Sequence, residues 1–362
     1  MPLGMSRIWI PAALVPSLGN AMLRNFQPPK RSRALIFEVL LTGWLSLPLV
    51  AQQAPEPEAF PMLGAPGSLA ELQLEPSRRD ELESALKRRD YKRAEAILLE
   101  ETQRAPKSAR TAKLYTLAGH VFFLDAQYLN SAIAWKKAEA IAPLNDQTRF
   151  SLAMAYLRLN RQDWGRDELQ RLSQGDPNNP LYLYWLARLD YDARAYTTAI
   201  GRLQRVIELD PKMMRAYNSM GLCFDSLGRF DEAIQSFTHA IELNRRQEQP
   251  SAWPPLNLAV SLISLNRLDE AELRLHEALS YNPKFPQAHY QLGRVLEKEG
   301  KFEEAMAPLQ RAIELDPSYA EPHYTLGRIY ERQGKREEAQ EQMEKFKKLR
   351  GEASPLQSAQ PR

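Results

Sequence analysis

Five histidines, one cysteine and a recurrent pair of acids are the side chains in this sequence that could carry chemistry. The histidines are His120, His239, His276, His289 and His323. His289 and His323 fall 34 residues apart, which invites a shared metal ion. Packed helices stand roughly 10 Å apart. Two imidazoles on successive helical units therefore cannot both reach one ion through bonds of about 2 Å, and a packing role is the better reading. Cys223 has no second cysteine to pair with. A nucleophilic thiol would want exposure and a basic neighbour, and Cys223 reads instead as a small buried group. Acid pairs such as Glu303-Glu304 recur where helices start, where negative charge meets the positive end of the helix. There is no Gly-rich phosphate loop, no G-x-S-x-G and no H-E-x-x-H. The sequence predicts no catalytic residue, no cofactor and no metal.

The elements that would position these residues are repeats. "GKFEEA" at Gly300–Ala305 returns as "GKREEA" at Gly334–Ala339, a step of 34 residues. With Met214 as position 1, position 8 is Gly221, position 20 Ala233, position 24 Phe237 and position 27 Ala240. Counted from Pro286, the same positions are Gly293, Ala305, Leu309 and Ala312; from Ala320 they are Gly327, Ala339, Met343 and Phe346. Each unit holds two apolar patterns of helical period with a break between them. Gly221, Gly293 and Gly327 allow close approach to Ala233, Ala305 and Ala339 on the second helix. Gly228, Gly300, Gly334 and Asn266 suit a left-handed residue at the end of the first helix. Asp231, Asp269, Glu303 and Glu337 follow at the start of the second. The prolines of "ELDP" (Glu208–Pro211, Glu314–Pro317) and "YNP" (Tyr281–Pro283) stop it.

This combination of spacing, small residues and closing proline resembles the tetratricopeptide repeat. The resemblance implies an all-α fold, a right-handed α-solenoid of helix-turn-helix repeats in which each pair buries its face against the next. About eight units are expected over 75–350: 75–108, 112–145, 146–179, 180–213, 214–247, 252–285, 286–319 and 320–350. Extra residues, "RRQEQPSAWPP", follow Asn244 and predict a bulge or a wider turn there. Residues 351–362 read as a disordered tail. The repeats leave little of the chain for a catalytic domain, so the expectation is a non-enzyme.

In this family the first helices line a concave groove through positions 2, 5, 9, 12 and 13. Here those positions include Phe150, Arg158, Leu181, Tyr184, Arg188, Tyr191, Asn218, Tyr290, Arg294, Lys298, Tyr324, Arg328 and Arg332. Tyrosine and arginine anchor interfaces. Arg188, Arg294 and Arg328 share one position; Tyr184, Tyr290 and Tyr324 share another. Two readings stand. One is a groove for an extended or helical peptide of some acidic character, with Arg158, Tyr184, Arg188, Tyr191, Asn218, Tyr290, Arg294, Lys298, Tyr324, Arg328 and Arg332 as its contacts. The other is a solvated face with tyrosines filling gaps and arginines paired to Glu297 and Glu331. A related set of repeats clamps chain termini with lysines, asparagines and an arginine. Asn218, Asn257 and Arg294 are in place here without the lysines, so that activity is not carried over.

Apolar residues are 44% of the 362 and charged residues 26%, with a formal charge of +3. That balance has no polybasic footprint, and nucleic acid is not an expected partner. Lys30, Arg31 and Arg33 precede the apolar run Ala34–Val50, and Ala51 is a small residue at its exit. Residues 1–51 read as a secretory signal cleaved after Ala51 or as an uncleaved membrane anchor, with Met22 a candidate start. Residues 52–74 form a Pro-rich linker. The expected location is exported, periplasmic or secreted, or membrane-anchored with the repeats outside the cytoplasm. The expected partners are other proteins or peptide segments, with room for homo-oligomers. A second role, organising an assembly through the convex face from a membrane anchor, remains open.

Overall fold

The computed structural model describes residues 69–104 and 107–352. The signal- or anchor-like segment and the tail beyond residue 352 lie outside them. Every regular element among the described residues is a helix, and the helices come in eight antiparallel pairs. The pairs are α1 (Pro76–Lys87) with α2 (Tyr91–Arg104), α3 (Ala109–Leu124) with α4 (Tyr128–Glu139), and α5 (Asp146–Arg158) with α6 (Gln162–Gly175). Next come α7 (Pro180–Asp192) with α8 (Tyr196–Leu209), and α9 (Met214–Ser226) with α10 (Phe230–Asn244). The last three are α11 (Trp253–Ser264) with α12 (Leu268–Tyr281), α13 (Pro286–Lys298) with α14 (Phe302–Leu315), and α15 (Glu321–Arg332) with α16 (Arg336–Glu352). Each second helix packs on its own first helix and on the next first helix, and successive first helices touch from α7 through α15. The result is a helical solenoid.

Helix starts and stops follow local chemistry. Pro76, Pro180 and Pro286 open their helices, where a missing N–H costs nothing. Asn145 Oδ1 accepts from Thr148 N at 2.8 Å, an N-cap. Asp231-Glu232, Asp269-Glu270, Glu303-Glu304 and Glu337-Glu338 occupy first turns of second helices. Asp210, Asn282 and Asp316, each before a proline, leave the helix at φ −136°, −137° and −141°.

The turn inside each pair has one left-handed residue. Gly228, Gly300 and Gly334 have φ of 71°, 79° and 73°, and Asn266 has 58°. Arg89, Ala126, Asn160 and Arg194 do the same upstream at φ 56–59°. Ala126, Asn160, Arg194 and Gly228 are spaced by 34 residues, as are Asn266, Gly300 and Gly334. Between Gly228 and Asn266 the step is 38, which locates the extra residues after α10. Buried Asn244 organises them: its Oδ1 accepts from Ser251 N and its Nδ2 donates to Ser251 O, both at 2.8 Å. Arg245 at the base of the turn reaches Glu277 on α12 at 2.7 Å.

In four of the pairs a glycine of the first helix is matched by a large residue of the second: Trp135 at Gly119, Phe237 at Gly221, Leu309 at Gly293 and Met343 at Gly327. A methyl group on Gly221 would sit 2.6 Å from the Phe237 ring, and on Gly293 2.5 Å from Leu309 Cγ. The backbone carbonyl of Ala305 comes next, at 3.3 Å from the Gly293 position. The glycine therefore receives the position-24 side chain as well as facing the alanine. At Gly119 the filler is Trp135, whose Nε1 donates to Thr116 O at 3.1 Å. One apolar core runs continuously from Ala153 to Ile329.

The last residues of the Pro-rich linker are packed. Leu69, Leu72 and Leu74 are buried with Leu82, Ala94, Ile97 and Leu98 of the first pair. Arg110 fixes them by donating from Nε to Leu72 O at 2.7 Å. Three leucines in six residues add apolar surface to the core of the first pair.

Candidate functional site: the row of first helices

The Tyr and Arg that recur along the first helices are four residues apart, one turn, so each pair shares a helix face. Each arginine lies by its own tyrosine. The guanidinium carbon is 6.0 Å from the ring centre for Arg188 and Tyr184, 5.8 Å for Arg294 and Tyr290, and 5.9 Å for Arg328 and Tyr324. Contacts at this range are weakly attractive and restrain the arginine.

Their surroundings differ. On α7 both partners are inside the protein: Tyr184 is 2% exposed and Arg188 0%. Arg188 Nη1 donates to Tyr184 Oη at 3.2 Å, and the guanidinium also lies 5.9 Å from the Trp185 ring. Residues 182–190 of α7 are all buried, so this stretch of the expected groove is core. Asn218 on α9 is buried too, and its Oδ1 accepts from Asn257 Nδ2 on α11 at 3.0 Å. Asp225, on the last turn of α9, accepts from Ser261 Oγ at 2.5 Å; burial pushes its carboxyl up against that hydrogen bond. Tyr191 is half-buried, with its phenol pushed up by burial, and Ser226 Oγ lies 3.4 Å from its hydroxyl.

On α13 and α15 the face is open to solvent. Tyr290, Arg294, Tyr324 and Arg328 are half-buried, and Lys298 and Arg332 are exposed. Tyr290 meets Tyr319 edge-on at 5.1 Å, and burial pushes both phenols up. Arg328 Nη2 lies 3.0 Å from Glu297 Oε1 on the preceding first helix, and the Glu297 side chain is 6% exposed. This is one of the two ion pairs expected for these arginines. Arg294 instead donates to Gln291 Oε1 at 2.9 Å. Arg332 lies 5.3 Å from the Phe302 ring. Arg158, far upstream on α5, is exposed and 5.9 Å from the Tyr128 ring. Phe150 is half-buried against Tyr182, and Leu181 is exposed.

The residues singled out for chemistry have structural partners. His323 Nδ1 is 2.7 Å from Gln342 Oε1, and His289 Nε2 is 2.9 Å from Pro283 O. Cys223 is 0% exposed, and burial pushes its thiol up to about 12, where it is neutral and unreactive. Among the described residues no three His, Cys, Asp or Glu side chains converge to hold a metal ion. Among them no helix is long and apolar enough to cross a membrane.

Residues 215–247, 262–311 and 320–352 match the tetratricopeptide repeat family, and 295–334 match a TPR repeat of the same kind. These segments are tetratricopeptide repeats. Anaphase-promoting complex subunit 3 of Schizosaccharomyces pombe is 23% identical over 187 residues, covering 52% of this chain and 22% of its own. The chain spans between 22% and 39% of the length of the curated relatives it matches. A tetratricopeptide repeat protein of Parabacteroides merdae has a similar structure, with TM-score 0.59 and 16% identity over 73% of this chain and 99% of that one. PilW, described as a type IV pilus biogenesis factor, gives TM-score 0.52 and 19% identity over 59% and 95%. At these identities the likeness establishes the fold, a tetratricopeptide solenoid.

Proposed function

We propose that this protein is a non-catalytic scaffold that binds segments of other proteins along the α13–α15 part of its row of first helices. The reading rests on one observation: two Tyr–Arg pairs in the same register, on adjacent helices, both half-exposed. Rigid aromatics beside guanidinium groups are the common anchors of protein interfaces. The pair Tyr184–Arg188 on α7 is buried, as is Asn218 of the amide pair Asn218–Asn257 between α9 and α11, and both pairs are left out of the proposed contacts. The order of basic residues, apolar run and Ala51 in the sequence supports action in the cell envelope or outside the cell.

The test is affinity capture with the full chain from a native envelope extract, comparing wild type with Arg294→Glu/Lys298→Glu. Arg328 is left intact, because a carboxylate there would oppose buried Glu297 and unfold the site. Partners retained by wild type and lost by the variant, at equal helicity by circular dichroism, support this face. Partners retained equally by both would move the interaction elsewhere.

A further inference from the structure

Arg294 and Arg328 hold the same register on adjacent helices and differ in what offsets their charge. Thirty-one residues before Arg328 stands Glu297, and the two are paired at 3.0 Å. Thirty-one residues before Arg294 stands Ile263, a buried hydrocarbon. Arg294 has no carboxylate within ion-pair distance among the described residues; its hydrogen bond goes to the neutral amide of Gln291. Lys298, one turn further along α13, has none either, and Arg332 on α15 has only the Phe302 ring. Among the described residues, Glu297 is the one acid within ion-pair distance of these four cations.

The Arg294 guanidinium is also held in place. Tyr290 lies under it, and Tyr290 is itself wedged edge-on against Tyr319. A restrained, partly desolvated guanidinium is suited to bidentate binding of a carboxylate, and little side-chain freedom remains to be lost. A carboxylate could come from a side chain or from a chain terminus. The amides of Asn218 and Asn257 are engaged with one another, and no lysine stands beside them in the register that grips a terminus. The spread of cations along Arg294, Lys298 and Arg332 fits several acids in sequence.

Building on the scaffold reading, we propose that Arg294 is the anchor for an internal Asp or Glu side chain of an acidic, extended partner segment. Arg328, already matched by Glu297, contributes packing and not selection.

The experiment pans a library of random ten-residue peptides with amidated ends against the full wild-type chain. The best recovered peptide is then titrated by fluorescence anisotropy against wild type, Arg294→Gln and Arg328→Gln. The expected result is Asp or Glu enriched at a fixed place. Arg294→Gln should weaken binding at least about tenfold, and Arg328→Gln should weaken it by less. Replacing the peptide acid by its amide should match the Arg294→Gln loss, with no further loss in the double change. Peptides recovered without an acidic preference, or indifferent to Arg294→Gln, would overturn the anchor and leave the scaffold reading standing. Acidic peptides that bind only with a free terminal carboxylate, in a parallel library, would overturn the side-chain assignment. Recovery of no peptide would overturn both.

Discussion

Arg328 on α15 and Glu297 on α13 form an ion pair, 3.0 Å between Nη2 and Oε1, that joins two consecutive repeats. Glu297 is the buried member, at 6% side-chain exposure, and Arg328 the outer one at 39%. The asymmetry matters, because a buried carboxylate needs its counter-charge far more than a half-exposed guanidinium does. It also separates Arg328 from Arg294, which looks identical in the sequence register and holds no acid.

Replacing Arg328 by methionine should therefore destabilise the protein by about 1–2 kcal/mol, less than a fully buried pair would cost because water reaches one side. Arg294→Met should stay within about 0.5 kcal/mol. Urea unfolding of the two variants in parallel checks the difference. Equal midpoints would mean that Glu297 is adequately solvated without Arg328.

The glycines of the first helices are not equivalent either. Alanine is favoured over glycine in a helix by about 1 kcal/mol, so only steric conflict can make the change costly. At Gly293 the added methyl meets Leu309 Cγ at 2.5 Å and the Ala305 carbonyl at 3.3 Å, and neither can move freely. At Gly327 it meets the flexible end of Met343 at 3.0 Å. Gly293→Ala should cost about 1–3 kcal/mol, and Gly327→Ala should be close to neutral. Thermal unfolding of both variants decides this, and a Gly327→Ala as damaging as Gly293→Ala would show that Met343 is not free to yield.

Much of this architecture was legible in the sequence. Gly228, Gly300, Gly334 and Asn266 marked left-handed turns because few other residues tolerate them, and Pro211, Pro283 and Pro317 marked helix ends by sterics. Ala126 and Arg194 adopt the same left-handed turn but carry no such signal; tertiary packing of their helix pairs overrides the local preference. The Tyr–Arg register was legible as well. That α7 buries its pair and α13 exposes its own was not, because burial depends on the neighbouring elements, and Trp185 and Leu186 on α7 itself give no direction. The packing of Leu69, Leu72 and Leu74 was hidden by the prolines around them.

Those unsignalled turns lead to a stabilising change. A left-handed conformation costs a non-glycine residue about 1–2 kcal/mol. Glycine removes that cost but adds about 0.4–1 kcal/mol of unfolded-chain entropy. Ala126→Gly and Arg194→Gly, both at exposed positions with φ 56° and 59°, should each stabilise the protein by about 0.5–1 kcal/mol. Asn160→Gly should give less, since asparagine accepts this region more readily. Urea midpoints that fall in the first two variants would mean their side chains make contacts worth more than the strain.

His120 should make stability depend on pH in a window of its own. Burial holds the ring down to about 4 from an ordinary 6.5, against the opposing hydrogen bond to the Thr116 backbone, and the Trp135 ring lies edge-on at 5.2 Å. Between those two values the unfolded chain takes up a proton that the folded protein refuses. Stability contributed by the neutral ring is thus fully present above about 6.5, declines as pH falls toward 4, and changes no further below that. Paired carboxylates act lower. Burial pushes Glu277 up, but the Arg245 hydrogen bond and the Arg274 charge outweigh it, so its contribution is lost only below the ordinary carboxylate range. Melting temperatures measured from pH 7.5 to pH 4.5 should therefore fall for the wild type and fall less for His120→Gln. The two curves should converge toward acid, where the wild-type advantage of a neutral imidazole is gone. Parallel curves over the whole range would show that His120 takes up its proton as readily in the folded protein as in the unfolded chain, and that the pocket beside Trp135 is open to water.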